Sequence, residues 1–178
     1  MLFRLPWRLS DSIASAGMDR WADPEEDAAL ADYGRVLVEV ADSVIVAWVI
    51  RCVTTTADRW RPGAGSGLVG EAEAAGEAAR TQVIGRLREL LATDVSLQRS
   101  NPLDLIRESV SHPTSVLSKA GVPPVQRDEF ASRMFPDDIY DLGPASFADI
   151  DPALADPGLR WGAAKAHVVL ARRRRMEA

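Results

Sequence analysis

Several residue types that build catalytic or metal sites are scarce in this chain of 178 residues. The one cysteine, Cys52, can form no internal disulfide and no cysteine zinc site, and its apolar surroundings predict a buried thiol. The two histidines, His112 and His167, lie far apart in sequence and lack the spacing of a zinc site. The sequence therefore predicts no metal and no cofactor, and its cysteine content fits a cytoplasmic protein.

Long apolar runs are also absent. The most apolar segment, residues 36–53, is interrupted by Glu39, Asp42 and Arg51, and its longest uncharged stretch is far short of the roughly 20 residues of a membrane span. Residues 1–9 mix arginine with apolar side chains and lack a secretory signal, so we expect them to stay on the protein. For residues 1–22 we expect an arm that completes the core, and the alternative is a helix at a membrane surface.

Basic charge does not dominate, because the net charge is -5 at neutral pH. This balance disfavours general affinity for nucleic acid. One basic cluster remains, in which Arg172, Arg173, Arg174 and Arg175 are consecutive. These four side chains are candidate phosphate contacts, and the alternative is that they complement the negative end of a helix dipole.

The sequence is rich in residues that mark the start of a helix. Six prolines follow a residue suited to cap or precede a helix, and four of these pairs (Asp23-Pro24, Asn101-Pro102, Asp151-Pro152 and Asp156-Pro157) fit an N-cap followed by proline at the first helical position. Apolar residues at three- and four-residue steps fill residues 28–60 and 68–95. The pattern predicts an all-α fold with a long antiparallel helical hairpin wrapped by short proline-started helices.

We divide the chain into residues 1–22 as an N-terminal arm, 23–98 as the hairpin and 99–178 as a short-helix region packed on it. In the last region we predict helices at residues 102–111, 114–119, 125–134, 152–155 and 157–174. A helix running unbroken from residue 24 to 60 would be about 55 Å long, so we expect a break near residues 54–56 or burial by a second copy. A strand at residues 44–53 is the competing interpretation, because β-branched residues are dense there.

Residues 65–70 match the pattern G-x-G-x-x-G that cradles dinucleotides. That fold needs a strand before the glycines, whereas a helix is predicted here. We therefore interpret residues 63–70 as a hairpin loop.

The acidic stretch comprises Asp137, Asp138, Asp141, Asp149, Asp151 and Asp156. We expect these carboxylates to form caps and turns, and a divalent-cation site is the alternative. If the protein were a small enzyme, its site would lie near residues 137–151, with His167 as the acid-base group.

No catalytic set stands out, and we therefore predict a non-enzymatic protein-interaction, adaptor or regulatory protein, with a homodimer as one form that it can take. The candidate docking residues are Tyr140, Phe147 and Trp161, because a loop rich in proline and aromatic anchors can bind a partner at low entropic cost. The alternative is that this segment packs into the core. The alternatives are a nucleic-acid or ribosome-associated factor using Arg172 to Arg175, and the small enzyme described above.

The last 75 or so residues contain several segments of distinctive sequence, among them residues 101–104, 120–130, 135–138, 144–149 and 161–166. They resemble a family of uncharacterised actinobacterial proteins. The resemblance implies no activity, ligand or partner.

Overall fold

A computed structural model describes residues 23–93, 95, 97–125 and 138–178 of the chain. All regular elements within these residues are helices and none is a strand, so the predicted all-α class is confirmed. The expectations for residues 1–22 and for a helix at residues 126–134 lie outside the described residues.

The first helix, α1, spans Pro24–Trp60 without a break, so the break expected near residues 54–56 and the strand considered at residues 44–53 are both wrong. The Asp23 carboxylate accepts a hydrogen bond from the Glu25 amide at 3.0 Å and begins the helix as predicted. Thr54 donates its hydroxyl hydrogen to the Ile50 carbonyl oxygen at 2.9 Å, which satisfies the side chain within the helix. The β-branched residues stay helical because one buried stripe runs along the helix through Leu37, Ile45, Val49 and Val53.

A short 3-10 turn, Gly65–Leu68, leads into α2 at Val69–Ala92. The two helices are antiparallel, because α2 approaches α1 at Gly76 beside Val46 and again at Leu91 beside Gly34. A methyl group on Gly76 would lie 3.0 Å from Val46 Cγ1, so the missing side chain permits close helix contact. The predicted hairpin is confirmed.

Two short helices follow, α3 at Pro102–Glu108 and α4 at Ser111–Lys119. The Asn101 side chain accepts from the Leu103 amide and the Asp104 side chain accepts from the Asn101 amide, which forms a capping box at the start of α3. Helix α3 packs on α2, and α4 packs on both long helices.

The last elements are α5 at Phe147–Ile150, a 3-10 turn at Pro152–Leu154 and α6 at Ala155–Glu177. Helix α6 begins two residues before Pro157 and ends after Arg174, so it is a third long helix rather than one of the short ones. It runs antiparallel to α1, since Trp161 lies beside Gly34 and Arg172 pairs with Asp27.

The core consists of two clusters on α1. The larger one surrounds Leu37, Ile45 and Trp48 and includes side chains from α2, α3 and α6. The smaller one surrounds Val53 and Ala57 and includes Leu117 and Tyr140. Leu142 packs against both clusters.

Candidate functional site

Tyr140, a predicted docking residue, is buried with 4% of its surface exposed. Its hydroxyl donates to the Val122 carbonyl oxygen at 2.8 Å and lies 3.2 Å from Ser118 Oγ. The buried Asp138 carboxylate accepts hydrogen bonds from the Tyr140 and Gly143 amides and holds the turn in place. Tyr140 therefore closes the smaller core cluster and is not part of an exposed surface.

Trp161 and Phe147, the other predicted docking residues, also belong to the core. Trp161 is 4% exposed and faces α1 at Gly34. Phe147 is half-buried, and its ring packs directly on Gly158 of α6. Trp161 is therefore a core side chain rather than part of an exposed surface, and Phe147 has its ring covered by α6.

The acidic stretch forms local hydrogen bonds, as expected. Asp149 accepts from the Ser146 amide at 2.7 Å and the Ala145 amide at 2.9 Å, and Asp151 caps the following turn through the Ala153 amide at 3.0 Å. Asp156 differs from the prediction, because α6 begins before it, and its carboxylate pairs instead with Arg160. Asp137 lies outside the described residues. Among all the residues that the structure describes, no three His, Cys, Asp or Glu side chains are grouped as metal ligands would be.

The four consecutive arginines point in different directions. Arg172, whose side chain is 11% exposed, pairs with Asp27 at 2.6 Å. Arg175 pairs with Glu26 at 3.1 Å and Asp23 at 3.3 Å. These pairs join the acidic first turn of α1 to the basic last turn of α6, where both helix dipoles favour them. Only Arg173 and Arg174 are exposed, so the predicted four-arginine phosphate patch is reduced to two side chains.

His167 does not meet the acids that the structure describes in residues 138–151. Its Nε2 lies 3.8 Å from the Glu26 carboxylate on α1, and 76% of its side chain is exposed. The acid-base pair predicted for an enzyme is therefore not assembled.

The 141–149 segment instead borders a cavity of about 440 Å³ against α1, lined by Arg51, Cys52, Thr55, Arg59, Asp141 and Asp149 among others. Burial raises the pKa of the Cys52 thiol to about 12, so the sulfur is protonated at neutral pH and is a poor nucleophile. The Asp149 carboxylate is already engaged in its capping box. This cavity holds polar groups without an activated nucleophile among its described residues.

A larger groove of about 710 Å³ lies between α2 and α4. His112 lies on its wall, where Nε2 is 2.9 Å from the Gln82 amide oxygen. Burial lowers the pKa of His112 below its usual value, so the imidazole is neutral at neutral pH.

The glycine-rich segment is explained by packing. The Gly65 amide donates to the Asp58 carboxylate at 2.8 Å, which places a negative group where a phosphate would have to bind. A Cβ on Gly65 would lie 2.5 Å from the Thr54 carbonyl oxygen, so this glycine allows the turn to close on α1. Residues 63–68 lie in the hairpin connection, as the sequence predicted, whereas Val69 and Gly70 already belong to α2.

Sequence reasoning missed the side of α6 that faces away from the core. Leu159 is 74% exposed and Leu170 is 52% exposed, and exposed Ala163 and Ala166 lie between them. Steps of four, three and four residues place all four on one helix face, opposite the buried Trp161 and Val168. We call these four residues the outward face. The same spacing is visible in the sequence, but the sequence does not reveal which side of α6 packs on α1.

None of the helices in the described ranges combines the length and the apolar character that a membrane span requires. No family model matches the chain, and comparisons with curated proteins and with solved structures gave no match.

Proposed function

We propose that this protein acts through protein contacts made by the outward face of α6 rather than through a reaction of its own. The observation that carries the proposal is the pair of highly exposed leucines, Leu159 and Leu170, on the side of α6 opposite the core. Fully burying a leucine side chain contributes about 1.5–3 kcal/mol. Two such side chains separated by alanines give a partner two anchor points on a smooth surface.

The chemical groups at the two candidate reaction sites also support a role in protein contacts. The cavity beside the 141–149 segment holds Cys52 as a neutral thiol. His167, the expected acid-base group, lies beside α1 and away from that cavity. Neither place brings an activated nucleophile and a general base together.

The proposal is tested by replacing Leu159 or Leu170 with a photo-crosslinking amino acid in the full chain expressed in cells. We expect defined protein adducts from both positions, and Leu→Glu at the other position should suppress each of them because both side chains contact one partner. Leu97 is the matched control, since it is 60% exposed but lies outside α6. Equal adduct yields at all three positions, or no adducts from α6, would refute the proposal.

A second candidate function rests on exposed Arg173 and Arg174, which two phosphates of a nucleic acid could contact. Binding through them would be weak and would depend strongly on salt. Changing both to glutamine should then lower affinity for a random-sequence RNA and reduce the salt slope by about one per lost contact. Unchanged binding would exclude this role, and Arg160→Gln, on the same helix, is the control for lost positive charge.

A further inference from the structure

The outward face has the same order of side chains in both directions along α6. It begins with Leu159, continues with Ala163 and Ala166 and ends with Leu170, so the pattern is symmetric about a point midway between the two alanines. A symmetric pattern of this kind suits a twofold interface, in which the same patch of each copy contacts the other.

Resting on the function proposed above, we propose that the partner of this face is a second copy of the chain, with the two α6 helices antiparallel. In that arrangement Leu159 of each copy lies over Leu170 of the other, and Ala163 lies over Ala166. The small alanines at the crossing point allow the helix axes to approach to about 8 Å. Both pairs of leucines are then buried at the two ends of the contact.

Charge supports the antiparallel direction. Asp156 lies on the same side of α6, one turn before Leu159, and the exposed Arg173 and Arg174 lie one turn after Leu170. Antiparallel pairing therefore brings the aspartate of each copy next to the two arginines of the other at both ends. A parallel pairing would place aspartate beside aspartate and arginine beside arginine, which is unfavourable.

The first experiment measures the mass of the purified full chain by light scattering over a range of concentrations. We expect twice the chain mass of 19.3 kDa at high concentration. Asp156→Arg should weaken association by about tenfold or more, because it places cations opposite Arg173 and Arg174. Adding Arg173→Asp and Arg174→Asp to that variant should restore the dimer. The control is Arg160→Gln, which removes the same Asp156–Arg160 ion pair within α6 without adding a charge to the contact.

The second experiment identifies the direction of the helices by disulfide formation in a Cys52→Ala background. One sample carries Leu159→Cys and the other carries Leu170→Cys. Antiparallel pairing predicts that oxidation gives crosslinked dimers only after the two samples are mixed, whereas parallel pairing predicts crosslinks within each sample alone.

The outcomes separate this inference from the proposed function. The antiparallel dimer is wrong if the chain is a monomer at every concentration. It is also wrong if Asp156→Arg does not weaken association, or if adding Arg173→Asp and Arg174→Asp does not restore it. If Leu159 and Leu170 still crosslink to a different protein in cells, the face remains a docking surface and only the identity of its partner is wrong. If a monomer crosslinks from these positions to residues 1–22 of its own chain, both the dimer and the docking function are wrong.

Discussion

Replacing Gly158 with alanine should destabilise the protein, although alanine is the better helix former. Gly158 lies in α6 with the Phe147 ring packed on its Cα. A Cβ built there would lie 2.7 Å from both Cγ and Cε2 of that ring, closer than carbon atoms approach in proteins. The ring is attached through a short side chain in a one-turn helix, so it has little room to move aside.

Two opposing effects determine the size of the change. Glycine to alanine inside a helix contributes about 1 kcal/mol of stability through backbone entropy. Overpacking at a close contact costs about 1–3 kcal/mol. The net result is a fall in the free energy of unfolding of up to about 2 kcal/mol, measured by urea denaturation followed by circular dichroism.

Gly162 provides the matched control on the same helix, because nothing lies within 4 Å of a Cβ built there. Gly162→Ala should raise the free energy of unfolding by about 0.5–1 kcal/mol. In a Phe147→Ala background Gly158→Ala should no longer destabilise, which gives a coupling energy of about 2 kcal/mol. If Gly158→Ala stabilises the wild-type chain as much as Gly162→Ala does, the packing argument is wrong.

Three further outcomes can be measured. Cys52 should react slowly with a thiol reagent in the folded protein and rapidly after denaturation, because burial raises its pKa to about 12; equal rates would contradict its burial. Arg172→Gln should lower the free energy of unfolding by about 1–3 kcal/mol by leaving Asp27 without its partner, whereas exposed Arg174→Gln should leave it unchanged. The lowered pKa of His112 means that the unfolded chain binds its proton more readily. Stability should therefore be fully present above the unfolded pKa and should decrease as the pH is lowered through it, with a weaker decrease in His112→Gln.

Short-range sequence patterns predicted much of the fold. Asp23, Asn101 and Asp151 cap helices as expected, because a cap depends on residues only two or three positions away. The hairpin was also predictable, since one glycine-rich connection separates two long periodic segments. Residues 44–53 were ambiguous because their β-branched side chains suit a strand, and burial along one helical stripe overrides that preference.

The burial of the candidate site residues could not be predicted, because it depends on residues that are distant in sequence. Trp161 and Tyr140 have the side chains of docking residues, and only their positions against Gly34 and Val122 show that they are core. Arg172 looks like its neighbour Arg173 in sequence, but it pairs with Asp27, which is 145 residues away in the chain. A contact over that distance leaves no local pattern from which it could be predicted.

Because α1 is continuous, both core clusters are built on a single helix of 37 residues. An opening of the helix near Ile50 would withdraw support from both clusters at once, since Leu37 to Val49 belong to one and Val53 and Ala57 to the other. Amide protons in the middle of α1 should therefore exchange with solvent only when the described fold opens as a whole. We therefore expect the two core clusters to melt together in one transition, because each depends on the same helix.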